Sequence, residues 1–408
     1  MNKTRLKKYA RLIARCGANV QKGQNVIIVA ELDQPEFVEL LTVECYKAGA
    51  RRVFVDFSYQ PLTKPTVKYC SEKVLGELED WQIQKWEWQA DTLPAKIYLM
   101  SEDPDGLKGI NQKKYSKANA KRIKLIKPIR DKMENKYQWC IAAVPGKEWA
   151  KKIFPEMRVS AAMEKLWEAI LDCSRVYEDP VEEWNRHNED LAKRCDYLNS
   201  LSIKSLHYKA SNGTDFTVGL NENALFMGGG ETTMTTNVYF NPNIPTEEAF
   251  TSPTRGEAEG IVYSSLPLSH DGQLIDKFWF KFEGGKVVDL GAEQGEEVLR
   301  EMVNMDEGAA YLGEVALVPY SSPIRKSGIL FYNTLFDENA VCHFALGRGF
   351  TNVLRDFEKY TEQEAHEMGI NDSIIHVDFM IGTADLNITA ITRDGKTVEI
   401  FRDGEWAF

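Results

Sequence analysis

No Cys-x-x-Cys pair occurs anywhere in the chain. The seven cysteines, Cys16, Cys45, Cys70, Cys140, Cys173, Cys195 and Cys342, are odd in number and scattered. That pattern excludes a disulfide framework and a zinc ribbon, and points to a reducing compartment. No segment approaches the roughly 18 apolar residues of a membrane span. Met1 to Arg15 spreads Lys and Arg along an amphipathic pattern and lacks the apolar run of a signal peptide. Positive charge is in deficit: the net charge of the 408 residues is -11, against the basic balance of a global nucleic-acid binder. G-x-x-x-x-G-K-[ST], G-x-G-x-x-G after the first strand, His-Glu-x-x-His and G-x-S-x-G are all missing, which removes the phosphate loop, the dinucleotide fingerprint, the common zinc-protease helix and the nucleophile elbow. Gly228-Gly-Gly230 reads as a turn. The expectation is a soluble, cytoplasmic protein without nucleic-acid or membrane partners.

What remains is ordinary globular composition, 43 % hydrophobic, in a length that fits two or three domains. Leu6, Tyr9, Leu12, Ile13 and Cys16 recur at helical spacing up to Gly17. Asn25 to Ala30 is a short apolar run, Pro35 opens a helix to Ala48 that Gly49 stops, and Arg52 to Phe57 is a second apolar run. Strand, helix and strand with short joints predict a βαβ unit and a parallel sheet. Ala95 to Met100 and Trp139 to Val144 predict further buried strands, and residues 147–200 predict a helical bridge entered a second time near Asp179-Pro180. The second half changes texture. Turn pairs appear at Asn212-Gly213, Gly284-Gly285, Asp394-Gly395 and Asp403-Gly404, and Asn387 to Thr392 with Thr397 to Phe401 predict a hairpin. The fold class predicted is α/β: a doubly wound N-terminal lobe over 1–190, including the helical bridge, and an α+β, antiparallel-rich lobe over 191–408.

One charge run stands apart. Lys108 to Lys136 is dense in Lys and Arg. It reads either as a solvated helix face or as a surface that attracts anionic substrate groups.

The chemistry concentrates in the second half. The chain has six histidines, and His376-Val-Asp378 lies in the strand-like run Ile374 to Met380. Residues two apart on a strand share a face, so His376 and Asp378 point one way while Ile375, Val377 and Phe379 point the other. A buried imidazole and carboxylate need a partner, which is either a metal ion or their own hydrogen bond. Glu314 enters the apolar run Val315 to Pro319. Glu338 and His343 are five apart, a spacing that fits no single helix or strand face and requires a turn between them. Glu247 and Glu248 follow Pro245. Taken singly, each of these acids also reads as a surface residue.

Ordered elements along nearly the whole chain resemble the M29 family of metallo-aminopeptidases, the aminopeptidase T and aminopeptidase S group. They include Tyr9-Ala-Arg-Leu with Gly17, Lys22-Gly-Gln24, Tyr46-Lys-Ala-Gly-Ala50, Asn212-Gly-Thr-Asp215, Asn243-Ile-Pro-Thr-Glu-Glu248, Gly313-Glu314, His343-Phe-Ala-Leu-Gly347, His376-Val-Asp378 and Gly404-Glu-Trp406. The resemblance implies two divalent metal ions (Zn, Co, Mn or Mg) on Glu248, Glu314, Glu338, His343, His376 and Asp378, with Glu314 as the bridging carboxylate and Glu248 preferred over Glu247. It also implies release of N-terminal residues from peptides with a free N-terminus, and a homodimer.

One position departs from the family pattern. Phe350 stands where the family usually places a tyrosine that assists catalysis, so the phenol oxygen is gone. That departure motivates an alternative, a family relative that binds metal or peptide with weak turnover. A nucleotide-binding role for the N-terminal unit is a third reading, against which the missing phosphate loop counts.

Overall fold

The computed structural model describes residues 3–270 and 272–408. The chain is a mixed α/β protein with parallel and antiparallel sheets. It forms two compact units, one of residues up to Arg186 with Gly230–Pro245, the other of His187–Gly229 with Thr246–Phe408. No helix among the described residues is long and apolar enough to cross a membrane.

The first unit is built on a five-stranded parallel sheet. Its order is Arg52–Ser58, Asn25–Glu31, Ala95–Met100, Trp139–Ala143 and Asn243–Ile244. Pro35 sits at the start of helix Pro35–Ala48, where its missing N–H costs no intrahelical bond. Gly49 ends that helix at φ 110°, a left-handed conformation that a Cβ would oppose. Tyr9, Phe37 and Trp167 pack together with ring centroids 5.4–6.4 Å apart. The segment 147–200 resolves into three helices, Lys147–Ile153, Val159–Cys173 and Pro180–Ser200.

The second unit contains two antiparallel sheets. The larger has nine strands, running from Leu268–His270 through Gln273–Glu283, Pro253–Tyr263, Asp215–Leu220, Ile203–Lys209, Asn387–Thr392 and Thr397–Arg402 to Glu405–Trp406, with Lys286–Gln294 paired to Gln273–Glu283. The predicted C-terminal hairpin is present. The smaller sheet has four strands in the order Ala249–Thr251, Leu312–Leu317, His343–Gly347 and His376–Met380. One face of this small sheet packs on the large one through aromatic rings. Phe344 meets Tyr208 at 4.9 Å and Phe216 at 5.3 Å, and Phe379 meets Phe280 at 5.1 Å. Such ring pairs add about 0.5–1.5 kcal/mol each beyond their buried area. Because strand side chains alternate, anchoring Phe344, Leu346, Val377 and Phe379 in this core forces His343, Ala345, His376 and Asp378 onto the other face.

Candidate metal centre

The register of the small sheet brings the acids together. Glu314 and Asp378 are the two cross-strand neighbours of Ala345, one on each side. His343 stands opposite Ala316, and His376 opposite Gly347. Small side chains at Ala316, Ala345 and Gly347 thus leave room on a face that otherwise carries long polar groups. The pairing slips between Leu312 and Glu314, a bulge that re-aims the following side chain. Gly313 makes that slip possible: a Cβ there would stand 2.3 Å from the Arg348 carbonyl oxygen. Glu314 was expected to enter its strand from the end; it lies inside Leu312–Leu317, a strand buried at every position.

Two triads meet at Glu314. In one, His343 Nε2 is 3.1 Å from Glu248 Oε2 and 3.9 Å from Glu314 Oε1. In the other, His376 Nε2 is 3.0 Å from Glu314 Oε2 and 3.2 Å from Asp378 Oδ1. Each triad, Glu248 with Glu314 and His343, and Glu314 with His376 and Asp378, offers three donor atoms within 4.8 Å of one another. Glu338 lies in the turn Glu338–Ala340, close enough to feel the charge of Asp378. It also accepts a hydrogen bond of 3.2 Å from Asn339 Nδ2. The spacing of five between Glu338 and His343 is accommodated by that turn. Glu247 takes a different course. Its amide donates to Asn339 Oδ1 at 2.7 Å, and its carboxylate faces His187 at 3.9 Å.

Both histidines present the same nitrogen to the carboxylates. His376 Nδ1 is held by the Arg348 carbonyl at 2.7 Å, and His343 Nδ1 by the Val341 carbonyl at 3.3 Å. In the neutral ring, an Nδ1–H donating to a carbonyl leaves the lone pair on Nε2. The Arg348 carbonyl is itself fixed, since Arg348 N–H donates to the Ile375 carbonyl at 2.7 Å and Gly349 N–H to the Asn371 carbonyl at 2.8 Å.

Electrostatics follow from burial and crowding. Burial raises the Glu314 carboxyl to about 6, against the hydrogen bond from His376 and with the help of Glu248 and Asp378. Burial and the charges of Asp378, Glu248 and Glu314 hold Glu338 well above the usual carboxylate range. For His343, burial opposes protonation, but Glu248, Glu314 and Asp378 outweigh it and bring the imidazole to about 9. The same contest lifts His376 well above its ordinary value. Asp378 is held low, its burial overcome by His376. Acids and imidazoles so strongly shifted by burial and by one another make this face the candidate functional site.

Phe350 packs its ring 4.9 Å from the His376 ring and 5.5 Å from Phe250. Its backbone is tied to Ser252 Oγ, which accepts from the Phe350 amide at 2.8 Å. Thr351 Oγ1 donates to Glu362 at 3.2 Å and Arg348 pairs with the same carboxylate at 3.6 Å. Tyr332 belongs to the turn whose amides are held by the buried Asp337.

Several supporting residues were invisible to sequence reasoning. Ala345 is an unremarkable alanine until the register is known. Gly228 was read as a turn residue; a Cβ there would stand 2.5 Å from the Glu248 carbonyl oxygen, so its absence lets the Glu248 backbone approach. Asp306 accepts from Ala309 N, Ser373 Oγ and Ile374 N at 2.6–2.8 Å, which fixes the segment that leads into His376.

Four buried carboxylates and two imidazoles, one buried and one half-buried, thus share one face of the small sheet, the oxygen and nitrogen donor types that bind divalent metals. The model of the peptidase family M29, described as a thermophilic metalloprotease, matches residues 2–406, and the chain belongs to that family. Aminopeptidase 2 of Geobacillus stearothermophilus is 40% identical over 405 residues, covering 99% of this chain and 98% of the relative. AmpS of Bacillus subtilis is 40% identical over 406 residues, with 99% and 98% coverage. The solved structure of wild-type AmpT from Thermus thermophilus superposes with a TM-score of 0.90 at 36% identity, covering 100% of both chains. Membership of a metalloprotease family makes the protein a hydrolase, and these full-length relatives are aminopeptidases.

Proposed function

We propose that the protein is an aminopeptidase whose two triads each hold one divalent metal ion, with Glu314 shared between them. The observation that carries this reading is the position of Glu314, one carboxylate oxygen facing His343 and the other facing His376. The donor set fits two cations. Four buried carboxylates, Glu248, Glu314, Glu338 and Asp378, exceed two imidazoles in charge, and their mutual repulsion is relieved when positive charge is added between them. Mixed nitrogen and oxygen donors suit Zn²⁺, Co²⁺ or Mn²⁺.

Glu248 and His343 would hold one ion, His376 and Asp378 the other, and Glu338 would complete the set beside Asp378. Two ions held there would supply Lewis acidity for the scissile carbonyl, a water acidified toward ~7, and an anchor for the free α-amine of the substrate. The chain's own residues do the rest. The Arg348 and Val341 carbonyls hold each imidazole in the tautomer that offers Nε2. Burial of Glu314 and Asp378 excludes competing water from their oxygens. Phe350 packs over His376 and restricts its rotation, but it cannot donate a hydrogen bond to a developing oxyanion. The reading further includes a homodimer in the cytoplasm. The alternative of weak turnover rests on Phe350 alone.

A panel of aminoacyl chromogenic amides, assayed after chelation and again after adding back Zn²⁺, Co²⁺ or Mn²⁺, tests the proposal. Activity that disappears on chelation and returns on addition is expected, with about two ions bound per chain by titration. Full hydrolysis by the chelated protein, or a stoichiometry of one, would overturn it.

A further inference from the structure

The basic run noted in the sequence becomes a long surface helix, Gln112–Asp131, in the first unit. Between Lys108 and Lys136 there are eleven Lys or Arg and two acids in a chain of net charge -11. Lys113, Lys117, Lys121 and Lys124 recur at intervals of four, four and three, which places them on one stripe of the helix, and all four are exposed. Lys132, also exposed, continues the line at the helix end. Ala118, three residues before Lys121, is buried, and the helix packs against helices Glu72–Leu75 and Asp80–Thr92. The stem of Lys121 lies across Gly76, where a Cβ would stand 2.8 Å from its Cδ.

Surface helices commonly interleave acids with their lysines. This one contains a single acid, Asp131, and Lys127 engages it at 3.0 Å. Among the described residues, none of the four stripe lysines pairs with a carboxylate or donates a hydrogen bond. Four unneutralised cations in line on a helix repel one another, and the arrangement is relieved by an anionic ligand of matching period.

We propose that this stripe is a docking surface for an acidic segment of a polypeptide chain lying extended along the helix. The periods agree. Residues four apart on a helix rise about 6 Å, and same-side residues of an extended chain are about 6.6 Å apart, so acids at alternate positions meet successive lysines. The stripe has features that favour carboxylates over nucleic acid. It consists of lysines, compact point charges without the guanidinium fork that reads phosphates, and no aromatic side chain lies along it as a stacking platform for bases. The proposal does not depend on how metal is bound in the second unit.

The test is fluorescence anisotropy with the full chain and a labelled, N-acetylated peptide of alternating Glu and Ala. Its Gln counterpart and an oligothymidylate of similar length serve as controls. Binding of the Glu peptide should weaken with added salt, and the Gln peptide should not bind. Lys113→Glu, Lys117→Glu, Lys121→Glu and Lys124→Glu combined should lower affinity for the Glu peptide by about tenfold or more, because like charges then face each other within a Debye length of roughly 8 Å. Hydrolysis of a short chromogenic substrate by the combined variant should be unchanged, which establishes that it is folded. Equal binding by wild type and variant, or equal binding of the Glu and Gln peptides, would overturn the proposal. So would tighter binding of the oligothymidylate, which would make the surface one for nucleic acid.

Discussion

Replacing Glu314 by Gln separates the cost of assembling the acidic cluster from the benefit of neutralising it. Glu314 is 4% exposed and faces both imidazoles. Its carboxyl is raised to about 6 by burial and by neighbouring carboxylates, so near neutral pH its ionised form costs the folded chain on the order of 1–2 kcal/mol. In chelated protein, Glu314→Gln should therefore be no less stable than wild type, the relieved penalty being offset in part by the lost ion pairs with His343 and His376. With metal the order should reverse. An ion present at 100 times its Kd stabilises the wild type by about 2.7 kcal/mol, a rise in Tm of about 5–11 °C for a domain of this size. A neutral amide is a poor bridge between two cations, so the variant should show little of that rise and should lose more than ~10²-fold in kcat/KM, beyond the loss for removing a residue that only orients a ligand. Differential scanning calorimetry with and without Zn²⁺, beside a chromogenic assay, measures both. Wild-type activity together with an undiminished metal-induced shift in the variant would remove Glu314 from the site.

Four further outcomes follow from the same geometry. Ala345→Leu fills the gap between Glu314 and Asp378; it should abolish metal-induced stabilisation while costing about 1–3 kcal/mol of overpacking, read by calorimetry. Phe350→Tyr restores a phenol beside His376 and should raise kcat with little change in KM, since a missing oxyanion donor costs about 10²–10³ in turnover in other hydrolases; an unchanged kcat would mean that another group already serves. In chelated protein, stability should fall as pH rises. His343, raised to about 9, contributes fully below its ordinary 6.5 and loses that contribution through about 9, while the Glu314 penalty sets in between 4.5 and about 6; urea midpoints against pH measure it, and a curve that rises over this span would contradict the assignment. Asp306→Ala releases the hydrogen bonds from Ala309, Ser373 and Ile374 and should cost about 1–3 kcal/mol and weaken metal affinity about 10–100-fold, measured by competition with a chromophoric chelator.

How far the sequence carries such predictions depends on the range over which each signal acts. The parallel strands were legible because apolar runs bounded by Gly and Pro are local: Asn25–Glu31 and helix Pro35–Ala48 lie where periodicity put them. The shared face of His376 and Asp378 was legible for the same reason, since a period of two is a property of one strand. Glu314 was harder. Its strand begins three residues before the apolar run, because Leu312-Gly313 carries no alternation that marks a bulge. The small residues that shape the site were not legible at all. Ala345 acquires its meaning only from being flanked by Glu314 on one strand and Asp378 on another, and Gly228 only from its approach to the Glu248 carbonyl.

That division has a physical origin. Ligand atoms must be polar, so a buried ligand is conspicuous in sequence as a charge inside an apolar run. The room into which those atoms point is made by what is absent, a Cβ at Gly313 and Gly228 or a longer side chain at Ala345, and absence has no local signature. The orientation of the proposed ligands belongs to this second kind. His376 offers Nε2 because the Arg348 carbonyl takes its other nitrogen, and that carbonyl is aimed by backbone bonds to Ile375 and Asn371 that no side-chain identity at 348 encodes. Substitution of Arg348 should therefore disturb the pairing with Glu362 while leaving the His376 tautomer intact. Substitution of Gly313, whose Cβ would strike the same carbonyl, should disturb His376 from a different strand.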